Sequence, residues 1–247
     1  MNIGVMIDSI PALLAGAGLT LRLVGLAVVI GFVIAVLAAL ARLSRNPLLW
    51  MPAYGFIFFF RGTPLLVQIF LVYYGLSQFP AVRASALWVI LREPFWCALI
   101  AFSLNTAAYT AEVVRGAIQA VPRGQIEAAM AIGMSRLTRT WRIVMPQAVR
   151  IGLPAYSNEV ILLIKASSLA STVTLLDLTG VARTISSVTY MPVELLSMAA
   201  LIYLAMTFVV TRAFRFVEYL LSAERRQPPV AAGVSSRTLR AASSQVK

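Results

Sequence analysis

The chain has 247 residues, of which 60% are hydrophobic and only 12% are charged. Soluble domains are usually about a quarter charged, so this chain has too little polar surface to cover itself in water, and the lipid bilayer is its expected solvent. The net charge of +12 comes from arginines that lie mainly between apolar runs. In that position they orient a membrane protein, which argues against nucleic acid as a partner.

Several kinds of chemistry are excluded by the residues that the chain lacks. It has no histidine and one cysteine, Cys97, so an internal disulfide and histidine-based zinc sites or nucleophile pairs are ruled out. Its two lysines, Lys165 and Lys247, do not follow a glycine, so no Walker A phosphate loop is present. We expect no catalytic residue, no metal, no cofactor and no ATP hydrolysis by this chain. An intramembrane enzyme is disfavoured, whereas a membrane scaffold or an uncoupled channel remains open on composition alone.

The apolar runs predict an all-α membrane protein with five spans. The segment 1–18 is expected to be an interfacial N-terminal helix. A second interfacial helix is expected at 48–60, because that run is too short to cross a hydrocarbon core of about 30 Å. Loops are expected at 80–93 and at 172–192, the latter with room for a short helix. The five predicted spans, which form a membrane domain over 19–221, are 19–41, 63–79, 94–114, 153–171 and 194–221.

The arginines are distributed unevenly between the two sides of these spans. One side carries Arg83, Arg92 and Arg183, and the other carries four times as many. Because cytoplasmic loops are enriched in lysine and arginine, the asymmetry predicts an N-out, C-in orientation. The segment 115–150 and the tail 222–247 are then cytoplasmic, and the tail is expected to be disordered. The arginines on the predicted cytoplasmic side are Arg42, Arg45, Arg115, Arg123, Arg136, Arg139, Arg142, Arg150, Arg212, Arg215, Arg225 and Arg226.

The polar segment 115–150 is predicted to contain two short helices. Good helix formers fill 125–132, and Gly133 can end that helix in the left-handed conformation. A second helix is expected over 135–146, with three arginines spaced three residues apart along one face. A loop with snorkelling arginines is one interpretation, and a helix that docks in a groove of a partner protein is the other.

This segment contains, in order, Glu127, Ala128, Ala129, Gly133, Ile143 and Pro146. Their spacing resembles the EAA loop of bacterial ABC-importer permeases. Met145 stands where leucine is common in that family, which is a mild exchange. Three further stretches are FRGTPLLVQIFLVYYGLSQFP (60–80), LNTAAYTAEVVRGAIQAVPRGQIEAA (104–129) and LPAYSNEVILLIKASSLASTVTLLDLTG (153–180). They are similar to the polar amino-acid branch of this family. Within that branch they most resemble permeases of histidine, lysine-arginine-ornithine, octopine and nopaline uptake systems.

The resemblance covers roughly residues 10–226 and implies a type I ABC importer permease (MetI-like) fold in the bacterial inner membrane. It implies that two permeases, identical or similar, form the pathway, that two ATPase subunits bind underneath, and that a periplasmic binding protein delivers the solute. It further implies that the EAA residues listed above contact the ATPase. For Glu127 the alternative is an ordinary solvated side chain, and for Gly133 a simple helix stop. Which of these solutes is carried, and whether the pair is homodimeric, stays open.

Charged and helix-breaking residues near the spans are expected to be structural or to take part in gating. Arg61, Gly62 and Pro64 are consistent with an ion pair and a helix break at the membrane surface. Glu112 stands three residues before Arg115, a spacing that favours an ion pair within one helix.

Two charges in the fourth predicted span are costly in lipid and are expected to face protein or a water-filled cavity, namely Glu159 and Lys165. Where many members of the resembling family carry Lys-Asp, this chain has Lys165-Ala166, so one acidic group is missing. Glu159 is therefore the candidate receptor for the cationic end of a solute, and the alternative is a permanent ion pair with the partner permease. The candidate polar neighbours of Glu159 are Asn158, Ser167 and Ser168.

Overall fold

The computed structural model describes residues 3–221, and the regular structure of this part is helical throughout. Three of its helices are long and apolar enough to cross a membrane: α1 (Ile3–Leu43), α6 (Pro94–Gln119) and α11 (Pro192–Leu221). The number of candidate spans rises to five if each of two bent helix pairs counts as one. The predicted tail 222–247 lies outside the described residues.

α1 is one helix of 41 residues, about 60 Å long at 1.5 Å per residue. The sequence suggested an interfacial helix within 1–18 and a separate span at 19–41, but α1 does not end between them. Thr20 bonds through its hydroxyl to the carbonyl oxygen of Gly16 at 3.1 Å, inside a buried contact. A Cβ at Gly16 would lie 3.0 Å from the carbonyl oxygen of Asp177, so this glycine permits a close approach and does not act as a helix stop.

Small residues let α1 pack closely against α6. Ala27, Gly31, Ala35 and Ala39 recur every four residues on the buried face of α1. A Cβ at Gly31 would lie 3.0 Å from the carbonyl oxygen of Ser103 on α6. Close backbone approach through small residues is how helices associate in lipid, where burial of apolar surface supplies no driving force between them.

A sharp bend separates the second interfacial helix from the second predicted span. α2 (Pro47–Gly62) begins at Asn46, whose side-chain oxygen accepts from the Leu48 N–H at 3.0 Å. α3 (Leu65–Phe70) continues through a π-helical turn and a 3-10 turn to Gln78, and its axis makes an angle of 106° with that of α2. The structure thus has a helix at each of the two positions, 48–60 and 63–79, that the sequence predicted.

The segment 80–93 contains two one-turn helices, α4 (Pro80–Arg83) and α5 (Trp88–Leu91), before α6 begins. After α6 come α7 (Arg123–Ala131) and α8 (Arg136–Arg139).

α8 is continuous with the helix of the fourth predicted span, because a π-helical turn (Thr140–Val144) leads directly into α9 (Met145–Ala166). Pro146 was expected to end the second cytoplasmic helix, and this prediction is wrong: Pro146 lies in the first turn of α9. A proline lacks an N–H and crowds the carbonyl of residue 142, and a widened turn accommodates both effects. α9 therefore begins eight residues before the expected start of the span, and a 3-10 segment (Ser167–Val173) continues it.

α10 (Leu178–Thr189) is the short helix anticipated in 172–192. Its first turn is capped by Asp177, which is fully buried and whose Oδ1 accepts from the Gly180 N–H at 2.9 Å. The Tyr203 hydroxyl of α11 donates to Asp177 Oδ2 at 3.1 Å, and the Leu178 N–H donates to the Thr20 hydroxyl at 3.1 Å. Polar contacts thus join α1, α10 and α11 at one point.

Candidate functional site

The predicted cytoplasmic helix is present as α7, and its end has the geometry that the sequence indicated. Gly133 has φ +76°, in the left-handed region. Its N–H donates to the Met130 carbonyl at 3.0 Å, and the Met134 N–H donates to the Ala129 carbonyl at 3.0 Å. These two bonds form a Schellman motif, which satisfies the last carbonyls of the helix. Ser135 then caps α8, with its hydroxyl accepting from the Thr138 N–H at 3.2 Å.

Four of the six residues of the EAA pattern line one groove between α7 and α9. The groove has a volume of about 1130 Å³. The amide side chains of Gln125 and Gln147, which the sequence did not single out, hydrogen-bond across it and connect the two helices. Glu127 and Ala128 are exposed, whereas Ala129 is buried against the rest of the chain. The pattern residues that line the groove are Ala128, Ala129, Ile143 and Pro146.

The outer surface of this segment combines apolar and basic side chains. Arg136 and Arg142 are exposed and Arg139 is half-buried. Exposed apolar side chains of this size, with basic neighbours, are typical of a surface that another protein covers. The large apolar side chains exposed here are Met130, Ile132, Leu137 and Trp141.

The predicted pair of Glu112 and Arg115 is present at the end of α6. Arg115 Nε donates to both carboxylate oxygens of Glu112 at 3.0 Å, and its Nη1 donates to Gln119 at 2.7 Å. Sequence reasoning missed Arg42 of α1, whose Nε lies 3.8 Å from Glu112 Oε1. No local spacing could indicate this contact, because 70 residues separate the two side chains.

The bend at Arg61-Gly62-Thr63-Pro64 is held by polar side chains from outside it. Gln68, which is 3% exposed, donates from Nε2 to the carbonyl oxygens of Phe60 at 2.9 Å and Thr63 at 3.1 Å. Asn105 of α6 donates to Gln68 Oε1 at 3.0 Å. The Arg61 guanidinium lies over the ring of Tyr109, 5.2 Å from its centroid. The helix break was predicted from the sequence, whereas Gln68 and Asn105 were not singled out.

The candidate solute-binding residues of α9 do not form one cluster. Glu159 is half-buried and its neighbour Asn158 is exposed, as is Lys165. Ser167 is fully buried and bonds to the Ile164 carbonyl at 2.7 Å, and Ser168 bonds to the Lys165 carbonyl at 2.9 Å. These serines follow Glu159 by eight and nine residues, about 12 Å or more along the axis. The structure therefore keeps Glu159 and Asn158 together and separates both serines from them.

Glu159 has an electrostatic partner in the same chain. The positive charge of Arg61 acts electrostatically on the carboxylates of both Glu159 and Glu112. This electrostatic interaction between Arg61, at the bend between α2 and α3, and Glu159 of α9 was not anticipated by the sequence analysis.

Long apolar helices joined by a polar segment with a capped helix fit the class of membrane transport subunits. The family described as binding-protein-dependent transport system inner membrane component matches residues 9–222. The chain belongs to this family of ABC transport permeases. As members of such importers these subunits act with an ATPase and a solute-binding protein, and they are transport components with no enzymatic activity of their own.

Individual relatives are similar over most of the chain. The chain is 54% identical to the octopine transport system permease protein OccM of Rhizobium meliloti, covering 87% of this chain and 88% of the relative. It is 51% identical to the nopaline permease NocM of Agrobacterium fabrum (92% and 94% covered). It is 43% identical to the histidine/lysine/arginine/ornithine permease HisM of Escherichia coli K12 (82% and 86% covered).

Solved structures agree on the fold. A crystal structure of an amino acid ABC transporter with histidines matches with a TM-score of 0.80 and 35% identity, covering 89% of this chain and 98% of that one. The MetNI methionine transporter in an inward-facing conformation matches with a TM-score of 0.70 and 16% identity, covering 87% and 98%. The type I importer permease fold predicted from the sequence is therefore confirmed.

Proposed function

We propose that this permease forms half of the translocation pathway of an importer for cationic amino acids or opines. The observation that supports this most is the similarity to octopine and nopaline permeases across about nine-tenths of the chain. Opines of this kind and basic amino acids share a cationic side-chain group. A half-buried carboxylate in a span is costly unless it faces protein or water, and it interacts strongly with a cation there.

The subunit works in the bacterial inner membrane with its N-terminus outside and its C-terminus in the cytoplasm. The arginine asymmetry supports this orientation. A second permease, identical or similar, completes the pathway, two ATPase subunits bind on the cytoplasmic side, and a periplasmic binding protein delivers the solute. Transport proceeds by alternating access of the membrane site.

α7 couples the permease to the ATPase. Glu127 and Ala128 present the exposed face of this helix to the partner, while Ala129 anchors it to the permease. Support comes from the exposed apolar side chains beside the helix and from the Schellman motif at Gly133, which fixes its end. A rigid α7 transmits the motion of the ATPase to α9, the helix on the other side of the groove.

Glu159 receives the cationic group of the solute, with Asn158 beside it. Arg61 supports a second role for this carboxylate, since the positive charge of Arg61 acts on it electrostatically. In that alternative Glu159 is a permanent structural ion-pair partner, either of Arg61 or of a basic residue of the second permease. The two roles predict different results when the charge alone is removed.

Glu159→Gln keeps the shape of the side chain and removes its charge, and Glu93→Gln is a matched control on an exposed carboxylate that pairs with Arg92 at 3.8 Å. Both variants are assembled with the second permease, the ATPase and the binding protein in proteoliposomes. Uptake of labelled octopine, arginine or histidine is expected to fall at least about tenfold in Glu159→Gln, because a desolvated charge pair is lost, and to be unchanged in Glu93→Gln. Unchanged uptake of all three solutes rejects the site, and loss of assembly identifies a structural ion pair with the second permease.

A further inference from the structure

A second group of charges, distinct from the α9 site, surrounds a small cavity where α1, α2 and α6 meet. The cavity has a volume of about 280 Å³. Two arginines line it, Arg42 from the last turn of α1 and Arg61 from the last turn of α2, and Glu112 of α6 is the acidic residue beside them. The remaining lining is apolar and aromatic and comes from α2, with Tyr54, Ile57 and Phe58.

The positive charge of this cavity is not balanced by its carboxylate. Both oxygens of Glu112 accept hydrogen bonds from Arg115, which does not line the cavity. Arg42 Nε is buried and has no hydrogen-bond partner among residues 3–221, since its 3.8 Å separation from Glu112 is too long. A buried N–H without an acceptor is unfavourable. Arg61 is also within electrostatic range of Glu159, but Glu159 does not line the cavity.

Aromatic rings hold one of the arginines in place. The Arg42 guanidinium lies over the rings of Trp50 and Tyr54, at 5.0 and 4.9 Å from their centroids. The two rings are themselves stacked at 5.4 Å. Because the rings pack against the face of this planar guanidinium, its N–H groups keep a fixed direction. They can donate to an anion that accepts two parallel hydrogen bonds. Phosphate has this geometry.

The surroundings of the cavity indicate that the phosphate belongs to a lipid. α2, which lines the cavity, exposes several large apolar side chains, which a soluble phosphate compound would not contact. Tryptophan and tyrosine beside an arginine are typical of the level of lipid headgroups. In the predicted orientation this end of α1 faces the cytoplasmic leaflet, which carries anionic lipid. The exposed apolar side chains are Leu48, Leu49, Met51, Phe58 and Phe59.

We infer that the cavity between Arg42 and Arg61 binds the headgroup phosphate of an anionic phospholipid, whose acyl chains lie along α2. The lipid supplies the acceptor that Arg42 Nε lacks and balances the two arginines. It also stabilises the position of α2 relative to α6, at the bend that leads into α3. This site does not depend on which solute the permease carries.

The test measures thermal stabilisation of the purified complex of permeases and ATPase by added lipid. The complex in detergent is titrated with dioleoylphosphatidylglycerol, dioleoylphosphatidylcholine or glycerol 1-phosphate. We expect phosphatidylglycerol alone to raise Tm in a saturable way. In Arg42→Gln the midpoint of this titration moves to about fivefold higher lipid concentration, as removal of one basic residue near the headgroups predicts.

Arg45→Gln is the matched control, since it removes an arginine three residues away that does not line the cavity, and its titration is expected to match the wild type. Arg61→Gln removes an exposed side chain, so it decides the question even if Arg42→Gln fails to assemble. A wild-type midpoint in Arg61→Gln, or in both variants, overturns the site. An equal response to phosphatidylcholine excludes an anionic headgroup, and a full response to glycerol 1-phosphate alone excludes a lipid.

Discussion

Asn105 donates a hydrogen bond of 3.0 Å to the side-chain oxygen of Gln68, and Gln68 in turn bonds to two carbonyl oxygens of the bend between α2 and α3. The bend leaves the backbone carbonyls of Phe60 and Thr63, two half-buried residues, without helical partners. In a bilayer such groups must be satisfied inside the protein. This pair of amides therefore makes the 106° break possible.

Gln68→Leu is expected to destabilise the protein by about 2 kcal/mol, because the Thr63 carbonyl loses the Gln68 donor and the Phe60 carbonyl keeps only a long bond of 3.4 Å from Asn105. Gln78→Leu is the matched control, since Gln78 is exposed and makes one long bond of 3.4 Å. Unfolding of each purified variant is followed by thermal denaturation in the same detergent. Equal Tm values for the two variants would contradict the role assigned to Gln68.

The hydroxyl of Tyr203 is expected to contribute about 1 kcal/mol through its bond to the buried Asp177. Tyr203→Phe removes that bond and keeps the ring. Tyr190→Phe makes the same chemical change at a side chain that is 88% exposed and is expected to have no effect. A thermal or denaturant melt compares the two, and a destabilisation that is as large in Tyr190→Phe would show that the polar network has no special importance.

Gly133→Ala is expected to disrupt the end of α7 at a cost of about 1 kcal/mol, because a side chain is disfavoured at a positive φ. Gly124→Ala serves as the control, since a Cβ there meets nothing within 4 Å and its φ is not in the left-handed region. Membrane insertion should persist in both. Recovery of the ATPase with an affinity-tagged permease should drop several-fold in Gly133→Ala alone, and equal recovery would leave Gly133 a helix stop without a role in docking.

Features that depend on local sequence were predictable. Gly133 follows a run of helix formers in a polar segment, and the structure places it at positive φ as the helix stop. Glu112 and Arg115 are three residues apart and form the expected ion pair. In both cases the determining interactions lie within one turn of helix, so the chain order alone contains the information.

Features that depend on packing between distant segments were not predictable. Gln68 and Asn105 are 37 residues apart, and Arg42 reaches Glu112 from another helix. α1 was divided at residue 18 because its apolar run exceeds one span, yet it is one continuous helix whose Gly16 packs closely against Asp177. Ser167 was placed beside Glu159 by chemistry alone, whereas the geometry buries its hydroxyl against its own helix. Contacts of this kind cannot be predicted from the spacing of residues along the sequence.

The most direct test of the account is a cross-link between α7 and the ATPase in the assembled transporter. Cys97 is buried and is replaced by alanine, after which Ala128→Cys introduces a thiol on the exposed face of α7. Val188→Cys places a thiol on α10, where the side chain is 75% exposed. In a complex that still transports, a short thiol-to-amine reagent is predicted to join Ala128→Cys, and not Val188→Cys, to the ATPase subunit. Cross-linking of Val188→Cys to the ATPase, with none from Ala128→Cys, would contradict both the coupling role of α7 and the proposed orientation of the chain.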